Sequence, residues 1–290
     1  MDFEALKAFL AVSDQESFSL AAARLHLTQP AVSKRVALLE NHLGVKLFDR
    51  IGRTISLTEA GRELYSRAAT ILADVEDSRR AITNLNGSVS GQLSVATSHH
   101  IGLWRLPEVL KEYSTRFPAV ALDLHFMDSE VAHEEIVQGN LELGIITLAP
   151  NAHERLRSTP IWKDHLTFVC ANDHPLAGSS QVEIEVLAEY PAVLPDMSTY
   201  TGRIVKQMFE DKGLSLKTGM STNYLETIKM LIGVGLGWSV LPHSMLDDTT
   251  CVLNVPEVQI ARTLGVIHHV QRSLSNAGNA FINLLMENAD

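Results

Sequence analysis

Twelve histidines, two cysteines and 34 acidic side chains are the raw material for chemistry in this 290-residue chain. Their spacing supports none. The pairs His99-His100 and His268-His269 are adjacent, and no HxxxH or CxxC arrangement accompanies them, so no metal site is expected. There is no Gly-x-Ser-x-Gly elbow, no Walker loop and no Gly-x-Gly-x-x-Gly turn after a strand. The glycines at 233, 235 and 237 follow an expected helix and read as its end and a tight turn. No catalytic residue, no cofactor and no enzymatic activity are expected. The informative spacing belongs to the basic residues. Arg24, Lys34, Arg35, Lys46, Arg50 and Arg53 stand against only Glu40 and Asp49, a local balance of +4 in a chain of net charge −10. Such a concentration on an acidic protein points to phosphate contact.

The elements around those cations must present them on one surface. Residues 18–25 read as a short helix, with Phe18, Ala22 and Leu25 on one face. Leu27 and Thr28 make a turn, Thr28 serves as N-cap, and Pro30 fits the first turn of a second helix. That helix should bury Val32, Val36, Leu39 and Leu43. Its other face carries Gln29, Pro30, Ser33, Lys34 and Ala37, short and polar enough to enter a major groove. Gly44 ends the helix. Residues 48–57 then alternate apolar and polar types around Ile51-Gly52-Arg53, a hairpin wing that would carry Arg50 and Arg53. This is a winged helix-turn-helix, and its expected partner is double-stranded promoter DNA.

The run LTQPAVSKRVALLENHLGVKLFDR, followed by LTEAGRELY, resembles the N-terminus of LysR-type transcriptional regulators. The resemblance extends to the rest of the chain in length and layout. It implies DNA contact by Thr28, Gln29, Pro30, Ala31, Ser33, Lys34 and Arg35, with Arg50 and Arg53 on the wing. Lys34 stands where the family often has arginine, and lysine cannot fork to a guanine.

Composition bounds the remainder. A hydrophobic content of 46% and a charged content of 20% are those of an ordinary globular protein with a real core. No apolar run approaches the ~20 residues of a membrane helix, so no membrane partner is expected. The first residues carry Asp2 and Glu4 and lack a basic start, so they read as an amphipathic helix and not a signal peptide; the expected compartment is the cytoplasm. Cys170 and Cys251 lie in apolar, strand-like runs and are expected to be buried thiols, not a disulfide. Residues 1–90 hold 11 basic and 11 acidic side chains, so the other 200 residues carry the whole excess of acid, 23 against 13.

Residues 58–86 form one long expected helix. Leu64, Ala68, Ile71, Val75, Ile82 and Leu85, with Ser78 between, recur at alternating spacings of four and three. That heptad seam predicts a partner helix, hence a homodimer. Asn86 to Gly91 is a hinge. Beyond it strands and helices alternate: strand 92–97, helix 103–116, strand 120–127, helix 130–138 and strand 141–148, then a second such series from residue 165. This pattern predicts parallel sheet with crossover helices.

The expected fold is therefore α+β and multidomain. It comprises a winged helix-turn-helix domain (1–58), a linker or dimerisation helix with hinge (59–90) and a two-lobed α/β effector-binding domain (91–290) resembling periplasmic binding proteins. Lobe I takes residues 91–161 and 268–290, and lobe II takes 162–267, with crossovers near Ile161 and Val266. Such lobes bind a small molecule where strand ends meet helix starts. Those junctions are 97–100, Thr147, 196–201 and 222–223, and they favour an anionic or strongly polar ligand. Mapping the family's ligand contacts onto them implies Ser98, His99, Thr147, Thr199, Tyr200 and Thr201. By the same resemblance the protein acts as a homodimer or homotetramer, answers to a small-molecule effector and works beside RNA polymerase. Two other readings are open: a solute-binding protein using only the lobes, and a metabolic enzyme with a regulatory head. The basic head argues against the first, and the missing catalytic constellation against the second.

Overall fold

The computed structural model describes residues 2–51, 54–256 and 258–289, and not the side chains of residues 50, 51, 54 and 83. Residues 1–86 form one compact body and most of 87–290 another.

The first body begins with α1 (Phe3–Gln15), α2 (Phe18–Arg24) and α3 (Gln29–Leu43). Asp2 caps α1 by accepting from the Ala5 amide at 2.6 Å, and Ser17 caps α2 through the Leu20 amide. The α2–α3 turn places His26 at φ 53°, and Gly44 ends α3 at φ 70°, where glycine bears no Cβ penalty. β1 (Phe48–Ile51) and β2 (Thr54–Leu57) pair antiparallel as the wing. α4 (Glu59–Asn84) follows. Leu6, Phe9, Val12, Phe18, Val32, Val36, Leu39 and Phe48 make the core, with the Phe9 and Phe48 rings 5.3 Å apart. Thr58 accepts the Gly61 amide and donates to the Lys46 carbonyl, which fixes the start of α4. Gly61 presses so close to the Leu47 carbonyl that a Cβ there would sit 2.2 Å from its oxygen.

Three expectations change in this body. Leu43, expected in the core, is 38% exposed. It is the last residue of α3, so the helix ends before that face meets the core, and the neighbouring buried position goes to Glu40. Its carboxylate accepts from the Leu47 amide at 2.9 Å and from Lys46 at 2.7 Å. Thr28 holds the N-cap backbone conformation but makes no side-chain cap bond. The seam of α4 divides: Ala68 is wholly buried in the head's own core with Leu64 and Ile71 against it, whereas Ile82 is 69% exposed and Leu85 is 85% exposed. Ala68 therefore has no surface left for a partner.

In the second body, β3 (Gly91–Thr97), α5 (His99–Trp104), α6 (Pro107–Arg116), β4 (Val120–Phe126), α7 (Ser129–Gln138) and β5 (Leu143–Thr147) build lobe I. The single helix expected at 103–116 is two, because Pro107 lacks an amide hydrogen and favours a helix start over a helix interior. β6 (Leu156–Ala171) enters lobe II, followed by α8 (Ile184–Leu187), β7 (Ala192–Leu194), α9 (Tyr200–Asp211), β8 (Thr218–Ser221), α10 (Leu225–Gly233), β9 (Trp238–Pro242) and β10 (Thr250–Val252). β11 (Ile260–His269) returns to lobe I, and α11 (Asn276–Glu287) closes it. The sheet runs β4-β3-β5-β11-β6-β9-β7-β8, with β10 on β6. β4, β3 and β5 are parallel, as are β8, β7 and β9. β6 and β11 join these two groups antiparallel to each other, with a register shift at Leu264/Gly265.

β6 starts at Leu156, well before the expected residue 165, because its first half pairs with β11 inside lobe I. Ile161, Trp162, Leu264 and Val266 pack in the lobe I core; Leu166 and Ile260 pack in that of lobe II. The chain thus changes lobes at residues 163–165 and 261–263, which places Trp162 and Leu264 in lobe I and not in lobe II. Both cysteines are free and face each other in the β6–β10 register; burial pushes the Cys170 thiol up to about 12, far from reactive.

Candidate nucleic-acid interface and ligand cleft

The first candidate surface is the face of α3 opposite its core stripe. Thr28, Gln29, Pro30, Lys34 and Ala37 are exposed there, and Ala31, Ser33 and Arg35 are half-buried. Gln29 Nε2 donates to Ser33 Oγ at 2.8 Å, one turn along, which holds both polar groups on the outer face. The cations are more heavily paired than a count along the chain shows. Arg24 bridges Asp14, Arg35 bridges Glu4 (both at 3.0 Å) and Lys46 bridges Glu40. Asp14 and Glu4 lie outside the stretch counted, so the local balance falls from +4 to about +2. Among the described residues Lys34 is the one cation of the group without a carboxylate partner. The Arg24–Asp14 and Arg35–Glu4 pairs lie at the surface and hold weakly, whereas Lys46 is bound to the buried Glu40. Arg53 lies outside the described residues, as does the side chain of Arg50.

The second candidate surface is a cavity between the lobes of about 490 Å3, counting its open mouth. Ser98, His99, Thr147, Thr199, Tyr200 and Thr201 all line it, brought from the ends of β3 and β5 and the start of α9. Thr199 caps α9: its hydroxyl accepts the Gly202 amide at 3.0 Å and donates to the Asp196 carbonyl at 2.7 Å. Gly202 is required there, since a Cβ would lie 2.2 Å from the Asp196 oxygen. Ser98 sits at the N-cap of α5 without making a cap bond, so its hydroxyl is not committed to the helix.

The cavity also holds residues that the spacing did not single out. Arg262 donates through Nε to Asp164 at 2.7 Å and through Nη1 to Thr201 at 2.9 Å, which ties β11 and β6 to the first turn of α9. His100 is 4% exposed, and neither ring nitrogen has a hydrogen-bond partner among the described residues; Nε2 lies 4.0 Å from Asp164. Burial, reinforced by the charge of Arg262, pushes the His100 pKa down to about 4. Its ring is therefore neutral near pH 7 and offers one donor and one acceptor. The signal for this site was weak in sequence: Asp164 sits between Lys163 and His165, and Arg262 beside Thr263, so neither stands out along its strand.

Among the described residues three hydrogen bonds cross the cleft. Tyr200 donates its amide to Glu130 at the start of α7, Asn223 donates to Asp128 at 2.7 Å, and Trp104 Nε1 donates to Glu226 at 2.9 Å. The His99 and Tyr224 rings meet edge to face at 4.7 Å. A larger groove, about 1180 Å3, follows the outer side of α9 past Ile204 and Met208, but its Arg203, Asp211 and Lys212 are all exposed. The cleft, by contrast, is lined by the buried polar side chains of His100, Ser129, Thr147, Thr201 and Arg262.

Comparison with known proteins fits this division. Residues 3–62 match the family model "Bacterial regulatory helix-turn-helix protein, lysR family", and residues 86–290 match "LysR substrate binding domain". The chain is 64% identical over 107 residues to a helix-turn-helix transcriptional regulator in the ibpB-leuC intergenic region of Azotobacter vinelandii, covering 37% of this chain and 74% of that protein. It is 31% identical to the RuBisCO operon transcriptional regulator of Acidithiobacillus ferrooxidans over 97% of this chain and 92% of that one. Among solved structures, full-length CbnR complexed with its target DNA is similar, with a TM-score of 0.66, 21% identity and coverage of 100% and 99%. No helix among the described residues is long and apolar enough to cross a membrane.

Proposed function

The chain belongs to the LysR family of transcriptional regulators, with a DNA-binding head and an effector-binding domain, and on that premise we propose that it binds promoter DNA as a homo-oligomer whose presentation is set by a small polar molecule held between its lobes. The working division is a reading head at 1–58, a dimerisation helix and hinge at 59–90, and a sensor at 91–290. In the head, Gln29, Ser33 and Lys34 meet the groove with Thr28, Pro30 and Ala31 beside them, Arg35 turns from Glu4 to phosphate, and Arg50 and Arg53 reach the backbone from the wing. Ile82 in the last turn of α4 and Leu85 just past its end are both exposed and are the part of the seam free to meet a second copy. Two such dimers would form a tetramer, and the assembly would act in the cytoplasm beside RNA polymerase. The effector shifts the protein between two arrangements for which it has different affinity, and so alters how paired heads address their half-sites.

The observation that carries this reading is the convergence of Ser98, Thr147, Thr199, Tyr200 and Thr201 on one cleft that also holds the unpartnered ring of His100. A panel of small polar and anionic metabolites screened by thermal unfolding of the full chain tests it. A true effector at about 100 times its Kd should stabilise by roughly 2.7 kcal/mol. Ser98→Phe should abolish that gain and leave operator binding intact. Unaltered stabilisation in Ser98→Phe would place the ligand elsewhere.

A further inference from the structure

The first amide of any α-helix lacks an intrahelical acceptor and lies at the positive end of the helix dipole. In α9, a 12-residue helix, that amide belongs to Tyr200, and its acceptor is the carboxylate of Glu130, 70 residues away at the start of α7 in the opposite lobe. Arg203, one turn further into α9, places Nη2 3.9 Å from the same oxygen and its guanidinium carbon 4.9 Å from the centre of the Tyr200 ring. Thr199 spends its hydroxyl on capping and the Asp196 carboxylate accepts the Ser198 amide, so the negative charge on the Tyr200 amide itself is that of Glu130. The cavity beside it contains the buried, unpartnered ring nitrogens of His100, polar groups that require a partner with hydrogen-bonding atoms. A carboxylate from the protein thus already occupies the position where an acidic ligand would be held.

We infer that Glu130 is a built-in competitor for the ligand of this cleft: a compact anionic group takes the α9 amide and the side of Arg203, displaces the Glu130 carboxylate, and so releases one tie between the lobes. This rests on the reading of the cleft as the effector site and specifies how that site is regulated. The two other ties, Asn223 to Asp128 and Trp104 to Glu226, do not touch α9, so displacement loosens the lobes at one point without separating them. The competition also tunes affinity. Each anion that enters must offset the loss of a charge-assisted bond, and a ligand offering only a neutral acceptor gains less at this position than an anion does.

Hydrogen exchange at the Tyr200 amide in the full-length protein tests the inference, with inorganic phosphate as probe. In Glu130→Ala that amide should exchange at least tenfold faster than in the parent, and phosphate should slow it again. The parent should need at least tenfold more phosphate to show any effect on α9. Glu130→Gln, which keeps an acceptor oxygen and loses the charge, should fall between the two. Equal phosphate affinity in parent and both variants, or no protection of the Tyr200 amide by phosphate in any of them, overturns the competition. Adding Ser98→Phe to Glu130→Ala separates the two ideas. Protection by phosphate that survives Ser98→Phe supports Glu130 as a competitor while locating effector recognition away from the cleft; protection that disappears supports both.

Discussion

Asp164 and Arg262 are register partners on β6 and β11, ion-paired at 2.7 Å, and both are buried where the chain changes lobes. The two strands that join the lobes are therefore bolted together at the crossing. The same arginine holds Thr201, so the bolt also sets the start of α9 in the cleft wall.

Removing one partner should be far worse than removing both. Asp164→Ala leaves a guanidinium buried without its carboxylate and should cost about 3–5 kcal/mol, whereas Asp164→Leu combined with Arg262→Met should recover most of that loss. All three tryptophans, Trp104, Trp162 and Trp238, lie in the two-lobed unit, so urea unfolding followed by tryptophan fluorescence reports on it alone. A loss below about 1 kcal/mol for Asp164→Ala would mean the pair is solvated, as surface pairs are.

Lys34→Ala should weaken binding to all DNA sequences alike and reduce the slope of log K against log salt by about one. Fluorescence anisotropy on operator and scrambled duplexes between about 50 and 200 mM salt measures both quantities. A change of base preference with an unchanged slope would assign Lys34 to a base edge instead of a phosphate.

The two halves of the α4 seam should respond differently to substitution. Ile82→Asp with Leu85→Asp should shift sedimentation toward monomer while leaving thermal stability of the head unchanged, because both side chains are exposed. Ala68→Leu should overpack the head core and destabilise it by about 1–3 kcal/mol. Loss of oligomer in Ala68→Leu with a stable head would return that half of the seam to the partner.

His100 should make the two-lobed unit sensitive to acid. Its folded pKa is about 4 against an ordinary 6.5, so between those values the unfolded chain binds the proton and the folded chain does not. Its contribution is complete above pH 6.5 and is lost as pH falls toward about 4, on the order of 3 kcal/mol. His133, His174, His268 and His269 are shifted downward as well, chiefly by burial, and add to the same trend. Stability of His100→Gln measured from pH 7 to pH 4 should fall less steeply than that of the parent. An identical slope would show that the His100 ring accepts a proton in the folded state.

The sequence by itself determined what depends on neighbours along the chain. The helix-turn-helix followed from the spacing of Val32, Val36 and Leu39 and from Gly44, because helix periodicity and a left-handed cap are local properties. The strand-helix alternation beyond residue 91 followed for the same reason, and it supplied the junctions onto which the family resemblance mapped the six candidate ligand residues. Tertiary structure decided the rest. Arg262 and Asp164 are 98 residues apart, and Glu130 and Tyr200 are 70 apart, so no local pattern pairs them. The assignment of Ala68 to its own head, the passage between lobes after Trp162 and the stranded ring of His100 likewise depend on which surfaces meet. Side-chain spacing fixes which face of an element is apolar; only the packed chain decides what covers that face and which buried charge finds its partner.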